Sequence, residues 1–319
     1  MAIYAACVWL GSGVTSSPVV LTSNGDDDLR STVPVQTLPS GPTDPSEIGQ
    51  PLTEEEFHSN ISTYRASELD SSEKKIPDEL LHQLWGGDIM TPSGDKNAVV
   101  DPNSLWPNAQ IPYVISASYT PDQRRVIGYA MNEYHTKTCI RFVPRTNQQN
   151  YIYIRRDLNV GCWSYVGMNG NGVQDVSLPD YCVSYSYPGS VIHELMHATG
   201  FQHEHQRPDQ QYYINVNYPN IRLDNRQFFN PFKPSEVNTL GLPYDISNSI
   251  PRLTLQVQFN DNFICGLAES VMHYPSSFMA SNPSIPTMVA RSGDLNLGNL
   301  KGFTKLDTQK INKLYNCRY

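Results

Sequence analysis

The segment HELMHATGFQH, His193–His203, constrains this chain more tightly than any other feature. On an α-helix, residues four apart share a face, so His193 and His197 present ring nitrogens to one point. Glu194 is rotated about 100° from His193 and reaches beside that point, not at it. Gly200 follows three residues after His197, and glycine takes the left-handed backbone that ends a helix and turns the chain. The turn brings His203 back to complete a three-histidine set. Three protein ligands with a fourth position open to water make a catalytic zinc site; structural sites close with four ligands, usually including cysteine. Zinc so held lowers the pKa of its water towards 7 and polarises a carbonyl, and Glu194 stands where a general base belongs. HExxH alone arises by coincidence in roughly one chain of this length in a hundred, and the added glycine and third histidine lower that about a thousandfold.

The rest of the composition narrows the setting. A chain of 319 residues holds one large domain or two small ones. The 19 tyrosines and 24 prolines suit a loop-rich, partly β architecture. A net charge of −8 leaves no Lys/Arg stripe for phosphates, so no nucleic-acid partner is expected. No run of about 20 apolar residues exists to span a membrane. Apolar Ala2–Leu10 followed by small residues at Gly11–Ser17 reads as a signal peptide over 1–17, although no Lys or Arg precedes Arg30. That implies secretion to the extracellular space. Of the six cysteines, Cys7 would leave with the signal, so at least one of the remaining five is unpaired or pairs between chains. An oxidising compartment follows, but connectivity does not.

Along the chain, Pro18 to about Pro51 is rich in Ser, Thr, Pro, Asp and Gly and reads as disordered or loosely attached. A short helical patch is expected within Leu52–Leu84, and Asn60-Ile61-Ser62 is a glycosylation sequon. From Asn97 the character changes. Gln110–Ser116 alternates like a strand, and Thr120-Pro121-Asp122-Gln123 is a capping box opening a helix to about Thr138. Ile140–Val143, Tyr151–Arg156 and Cys162–Val166 are further strands, the second alternating as if buried on one face. Helices are expected at Gly189–Ala198 and Thr304–Leu314. The order is α+β.

HELMHATGFQHEHQRPD resembles the metzincin zinc signature, and its extension through Glu204, Arg207 and Asp209 resembles the astacin family in particular. Ser270-Val271-Met272-His273-Tyr274 is similar to that family's Met-turn. The resemblance implies a metzincin-type catalytic domain of two subdomains, with a twisted β-sheet and an active-site helix, preceded by a mostly irregular propeptide. It implies a zinc-dependent endopeptidase acting on protein or peptide substrates with one zinc per chain. His193, His197 and His203 would be ligands, Glu194 the base, Met272 a floor beneath the metal, and Tyr274 a fifth ligand that swings away to stabilise the tetrahedral intermediate.

Trp85-Gly86-Gly87-Asp88 resembles the inhibitory propeptide motif, with Trp85 where the family usually has phenylalanine; Asp88 would then block the zinc. Asn97-Ala98 before LWPNAQIPYVI is similar to the mature N-terminus, implying a propeptide over 18–96, a catalytic domain over 97–319 and an activating protease that cuts between Lys96 and Asn97. The new amino group would pair with Glu204 through water. Cys162 would pair with Cys182, and Cys139 with Cys317.

Three departures stand out. Gln210 replaces the family's arginine, read as a surface change of small consequence. Gly298-Asn299-Leu300 stands where a Gly-Gln-Arg run is frequent, which weakens any preference for acidic substrate residues. Residues 246–269, containing Cys265, separate Pro243-Tyr244-Asp245 from Ser270, where relatives run almost directly on. That stretch is either a true insertion or a translated intron or other gene-model error. If it displaced the Met-turn, the chain would be a catalytically inactive zinc-binding or interaction module.

Overall fold

A computed structural model describes residues 41–61, 87–90, 101–157, 161–246, 269–293 and 297–318. All of them belong to one compact unit, Thr37–Tyr319. The signal segment, Trp85, Gly86, the Lys96–Asn97 bond, Cys7, Cys265 and nearly all of 246–269 lie outside the described residues.

The main sheet has six strands: β1 (Ile89–Met90), β2 (Gln110–Ile115), β3 (Arg141–Pro144), β4 (Tyr151–Arg155), β5 (Trp163–Tyr165) and β6 (Val173–Ser177). Their order is β1-β5-β6-β4-β2-β3, and only the β5–β6 pairing is antiparallel. A two-stranded sheet of β7 (Ile214–Val216) and β8 (Met288–Ala290) lies further along the chain. The α+β class is as expected. Strand β4 differs from its sequence reading: Ile152, Tyr153 and Ile154 are all buried, because β4 lies inside the sheet with both faces covered. Strand β6 was not anticipated. Its buried Gln174, Asp175 and Ser177 break the apolar pattern, and each is satisfied locally. Gln174 Nε2 donates to Gly167 O at 2.7 Å, Arg155 Nε to Asp175 Oδ2 at 2.8 Å, and Ser177 Oγ to Gly161 O at 2.7 Å.

Helix α1 (Glu54–Phe57) belongs to the N-terminal region; α2 (Pro121–Lys137) and α3 (Gly189–Ala198) cover the sheet, and α4 (Lys305–Leu314) ends the chain. Helix α2 begins at the expected capping box, with Thr120 Oγ1 accepting from Gln123 N and Gln123 Oε1 from Thr120 N. Its apolar face, Val126, Ile127, Ala130 and Met131, is fully buried, and Tyr134 Oη donates to Ile192 O of α3 at 2.7 Å. Helices and sheet enclose one apolar core that includes Val271 and Met272. A second core gathers Ile214, Phe228, Phe229, Tyr244, Tyr274 and Met288. Disulfides Cys139–Cys317 and Cys162–Cys182 join the end of α2 to the chain terminus and β5 to the approach to α3. None of the described helices is long and apolar enough to cross a membrane.

The region expected to be loose up to Pro51 is not so from Gly41 onward. Pro45–Glu47 forms a 3-10 turn capped by Asp44, and Ile48 makes an antiparallel bridge to Ser116 beyond the end of β2. The Pro- and Ser-rich composition hid this because the contacts are largely main-chain.

His135 packs between Phe57 and Phe142, and its Nε2 accepts from Phe142 N at 2.9 Å. Burial, then the Arg141 and His58 charges, pushes its pKa down to about 4. The unfolded chain binds this proton near pH 6.5, the folded chain only near 4. The neutral ring's contribution is therefore complete above pH 6.5 and is lost as pH falls towards 4. Urea unfolding should show stability falling from pH 6.5 to 4.5. His135→Gln, whose amide oxygen also accepts, should flatten that slope. Equal slopes in the two chains would remove His135 as the cause.

Candidate metal centre

Helix α3 is almost entirely buried. At its start, Gly189 N donates to Leu300 O at 2.8 Å, and a Cβ there would lie 2.3 Å from Leu300 C. Only glycine admits that approach. At its end Gly200, with φ +113°, donates to His197 O while Phe201 N donates to Met196 O, the paired bonds of a Schellman cap. The reversal carries the chain to His203, and Glu204 N then bonds Met272 O at 2.9 Å.

The three histidines meet. His197 Nε2 is 3.2 Å from His203 Nε2, which is 3.3 Å from His193 Nε2. The opposite nitrogens are engaged with oxygens: His193 Nδ1 donates to Val271 O (2.7 Å), His197 Nδ1 to Phe201 O (2.7 Å) and His203 Nδ1 to Gln206 Oε1 (3.3 Å). Val271 O and Phe201 O are backbone carbonyls and only accept, so Nδ1 of His193 and of His197 carries a proton and Nε2 of each ring faces the centre. Asp88 enters the same space, with Oδ1 2.9 Å from His203 Nε2 and Oδ2 3.1 Å from His193 Nε2. The four donor atoms lie within 4.8 Å of one another. Lone pairs and a carboxylate gathered so closely call for a cation, and three imidazoles on buried, hydrogen-bonded rings suit zinc.

Glu194 is 2% exposed, and its Oε2 has no protein hydrogen-bond partner. Burial, then the Asp88 charge, pushes its carboxyl well above the usual range. Tyr274 Oη donates to Asp88 Oδ1 at 3.3 Å. Its ring stacks on His205 with centroids 4.1 Å apart and also touches Phe278. His205 and His273 pack around the tyrosine and do not join the donor cluster. Met272 is buried in the first core.

Sequence reasoning missed Asp307. Its carboxylate accepts from Ser270 Oγ (2.6 Å), Val271 N (2.9 Å) and Thr304 N (3.1 Å), tying the start of α4 to the Met-turn. The visible signal was the Thr304-x-x-Asp307 capping pattern. Glu204 is buried: Lys310 Nζ lies at 2.7 Å, Asp245 N at 2.8 Å and Arg207 Nη1 at 3.3 Å. Burial raises its pKa, but Lys310 and then Arg207 bring it below the usual value. A small cavity beside it is lined by Phe201, Gln202, Arg207, Leu240 and Lys310. The reading of Gln210 as a surface residue is corrected. It is 5% exposed, and its Nε2 reaches His205 O and Phe229 O, bracing the segment after the third histidine.

The ends of the 246–269 stretch come together, with Ser270 N donating to Asp245 O at 3.4 Å. Val271 and Met272 stand against α3 as the histidine bonds require, so the Met-turn is not displaced.

A helix-borne three-histidine centre beneath a mixed sheet defines the chain as an α+β metal-site protein. The chain belongs to the astacin family: the family model described as Astacin, a peptidase family, matches residues 98–263 and 266–316. It is 39% identical over 223 residues to zinc metalloproteinase nas-14 of Caenorhabditis elegans, covering 69% of this chain and 39% of that one. It is 32% identical over 329 residues to zinc metalloproteinase nas-4 of the same species, covering 99% and 88%. Among solved structures, high choriolytic enzyme 1 of Oryzias latipes (medaka fish), a hatching enzyme zinc-protease, is 31% identical with a TM-score of 0.54, covering 72% of this chain and all of that one. The chain spans about half the length of several curated relatives it matches, 39% of nas-14 and 56% of nas-7.

Because Asp245 and Ser270 already meet, a chain with 246–269 excised and the two joined should fold with both disulfides intact. Loss of buried Ile246 and Glu269 should cost about 1–3 kcal/mol. Thermal unfolding and peptide mapping check this, and loss of the cooperative transition would show that the stretch is integral.

Proposed function

We propose that the chain is a secreted zinc-dependent endopeptidase made as an inactive precursor, with one zinc per chain. The observation that carries the reading is the convergence of His193, His197 and His203 Nε2 with a buried, unpartnered Glu194 oxygen alongside. Zinc held by the three histidines supplies Lewis-acid polarisation of the scissile carbonyl and a more acidic water.

The remaining chemistry belongs to the side chains. Glu194 takes a proton from the attacking water and passes it to the leaving amine. Tyr274 is a neutral donor that, once released from Asp88, turns its hydroxyl to the developing oxyanion. Strand β5 offers the substrate a backbone edge, which Ile89–Met90 now occupies in parallel register. The position of Val271 and Met272 supports this reading over an inactive zinc-binding module.

In the precursor Asp88 takes the position that substrate and water need. Residues 1–17 would be a signal peptide, 18–96 a propeptide and 97–319 the catalytic domain, released by a protease cutting near Lys96–Asn97. The new N-terminus would enter the cavity beside Glu204 and pair with its carboxylate through water, alongside Lys310 and Arg207. The signal-like start and two disulfides support an extracellular location, with proteins or peptides as substrates.

Two variants test the reading. In the processed chain, Glu194→Ala should lower cleavage of denatured protein by about 10²–10⁴-fold while metal analysis still finds one zinc. Undiminished cleavage would remove Glu194 as base, and equal inactivity of both chains with zinc bound would favour the binding module. In the unprocessed chain, Asp88→Ala should raise activity. No gain with the N-terminal region still attached would take Asp88 out of the mechanism.

A further inference from the structure

Among the described residues, the N-terminal region touches the catalytic unit at two places: Gly87–Met90 at the metal centre, and Gly41–Ile61 on β2 and α2, away from it. The second contact is built in detail. Gly41 N donates to Asp175 Oδ1 at 2.8 Å, and Leu52 N to Tyr113 Oη at 3.0 Å. Gly49 N donates to Ile115 O (2.8 Å) and Ala117 N to Glu47 O (2.7 Å), so the segment prolongs the sheet by main-chain bonds. Thr53 and Glu56 form a capping box that opens α1. Arg124 of α2 grips Glu56 with both arms, Nε at 2.6 Å from Oε1 and Nη2 at 3.0 Å from Oε2, and also reaches Pro51 O at 3.0 Å. Leu52 and Phe57 enter the first core, and Phe57 stacks on His135 at 5.2 Å.

Gly128 makes the seat of α1 specific. A Cβ there would lie 2.4 Å from Glu56 O, 2.6 Å from Glu56 C and 3.0 Å from Phe57 N. The nearest atoms it would strike are thus all main-chain atoms of the N-terminal segment. A mid-helix glycine costs about 1 kcal/mol relative to alanine, and at this position it is what lets α1 lie against α2.

We propose that Gly41–Ile61 is a second anchor, acting independently of Asp88, which keeps the severed N-terminal region on the catalytic unit after the activating cut. The proposal rests on the precursor reading given above. Both contacts lie on the N-terminal side of Lys96–Asn97, so one cut leaves them joined to each other. Two linked contacts make each rebinding intramolecular, which strengthens retention by about 10²–10⁴-fold over either alone. Activation is then two events, cutting and a slow departure, and the separated segment is itself a ligand for the surface on β2 and α2.

The test uses the full chain with a sequence-specific protease site placed within residues 91–96. After cutting, size exclusion measures how long the N-terminal fragment stays, and a peptide substrate measures how fast activity appears. The cut chain should keep its fragment and gain activity slowly. Gly128→Ala should release the fragment at least tenfold faster, and Arg124→Ala about three- to tenfold faster. Stripped of fragment, Gly128→Ala should unfold at the same or a higher temperature than the parent, which separates lost docking from a damaged domain. Asp88→Ala should keep the fragment longer than Gly128→Ala does. Retention unchanged by Gly128→Ala, or release by Asp88→Ala as fast as by Gly128→Ala, overturns the anchor. A cut chain that is fully active with its fragment still bound leaves the anchor standing and overturns the precursor reading instead.

Discussion

Three imidazoles whose Nε2 atoms converge to 3.2–3.3 Å form a centre suited to a cation, and much of the structure holds them there. Each ring is fixed from behind by an oxygen from a different place: Val271 O in the Met-turn, Phe201 O just past the helix cap and Gln206 Oε1 after the third histidine. These bonds settle both the tautomer and the ring angle. The tightness of Gly189 against Leu300, the reversal at Gly200 and the main-chain bond from Glu204 to Met272 are conditions for these contacts to coexist.

The Met-turn joins the two cores. Met272 is buried with the sheet and α3, and Tyr274, two residues on, is buried in the second core among Phe228, Phe229 and Met288. The hydroxyl of Tyr274 therefore reaches the centre from one side of the molecule and the histidine helix from the other. Asp307 sets the height of this segment by accepting from Ser270 and Val271 while it caps α4. The helix that ends the chain thus bears on the metal centre without contacting it, and the Cys139–Cys317 bridge fixes the far end of that helix region to α2.

What was legible in the sequence is what depends on local periodicity or fixed spacing. Helix α3 falls at the expected Gly189–Ala198, and α2 opens at its capping box, because both signals are contained within a few residues. The histidine set was legible for the same reason. Strand β6 was not, since its buried Gln174 and Asp175 are stable only through partners at Gly167, Arg155 and Gly41, remote in sequence or hidden in loops. The partners of Glu204 were not legible, because Lys310, beside it in the fold, lies over a hundred residues away in sequence. Gln210 read as surface because nothing nearby shows that the segment after His203 is roofed by Phe229. The docking of Gly41–Pro51 escaped notice because main-chain pairing leaves little mark on composition.

In the proposed precursor a single carboxylate, Asp88, would silence the whole centre. Its oxygens engage His193, His203 and the Tyr274 hydroxyl together, so in the proposed precursor the groups that would hold the metal and receive the oxyanion are all committed to one side chain. Chemistry and latency then compete for the same donors, and no partly inhibited arrangement satisfies both. The adjoining Ile89 and Met90 are buried and paired with Ser164 and Tyr165 of β5, which covers the edge a substrate would use. The carboxylate alone could be displaced by a strong ligand. With the edge strand beside it, displacement requires stripping main-chain bonds and buried apolar surface as well, and this raises the barrier to activation without a cut.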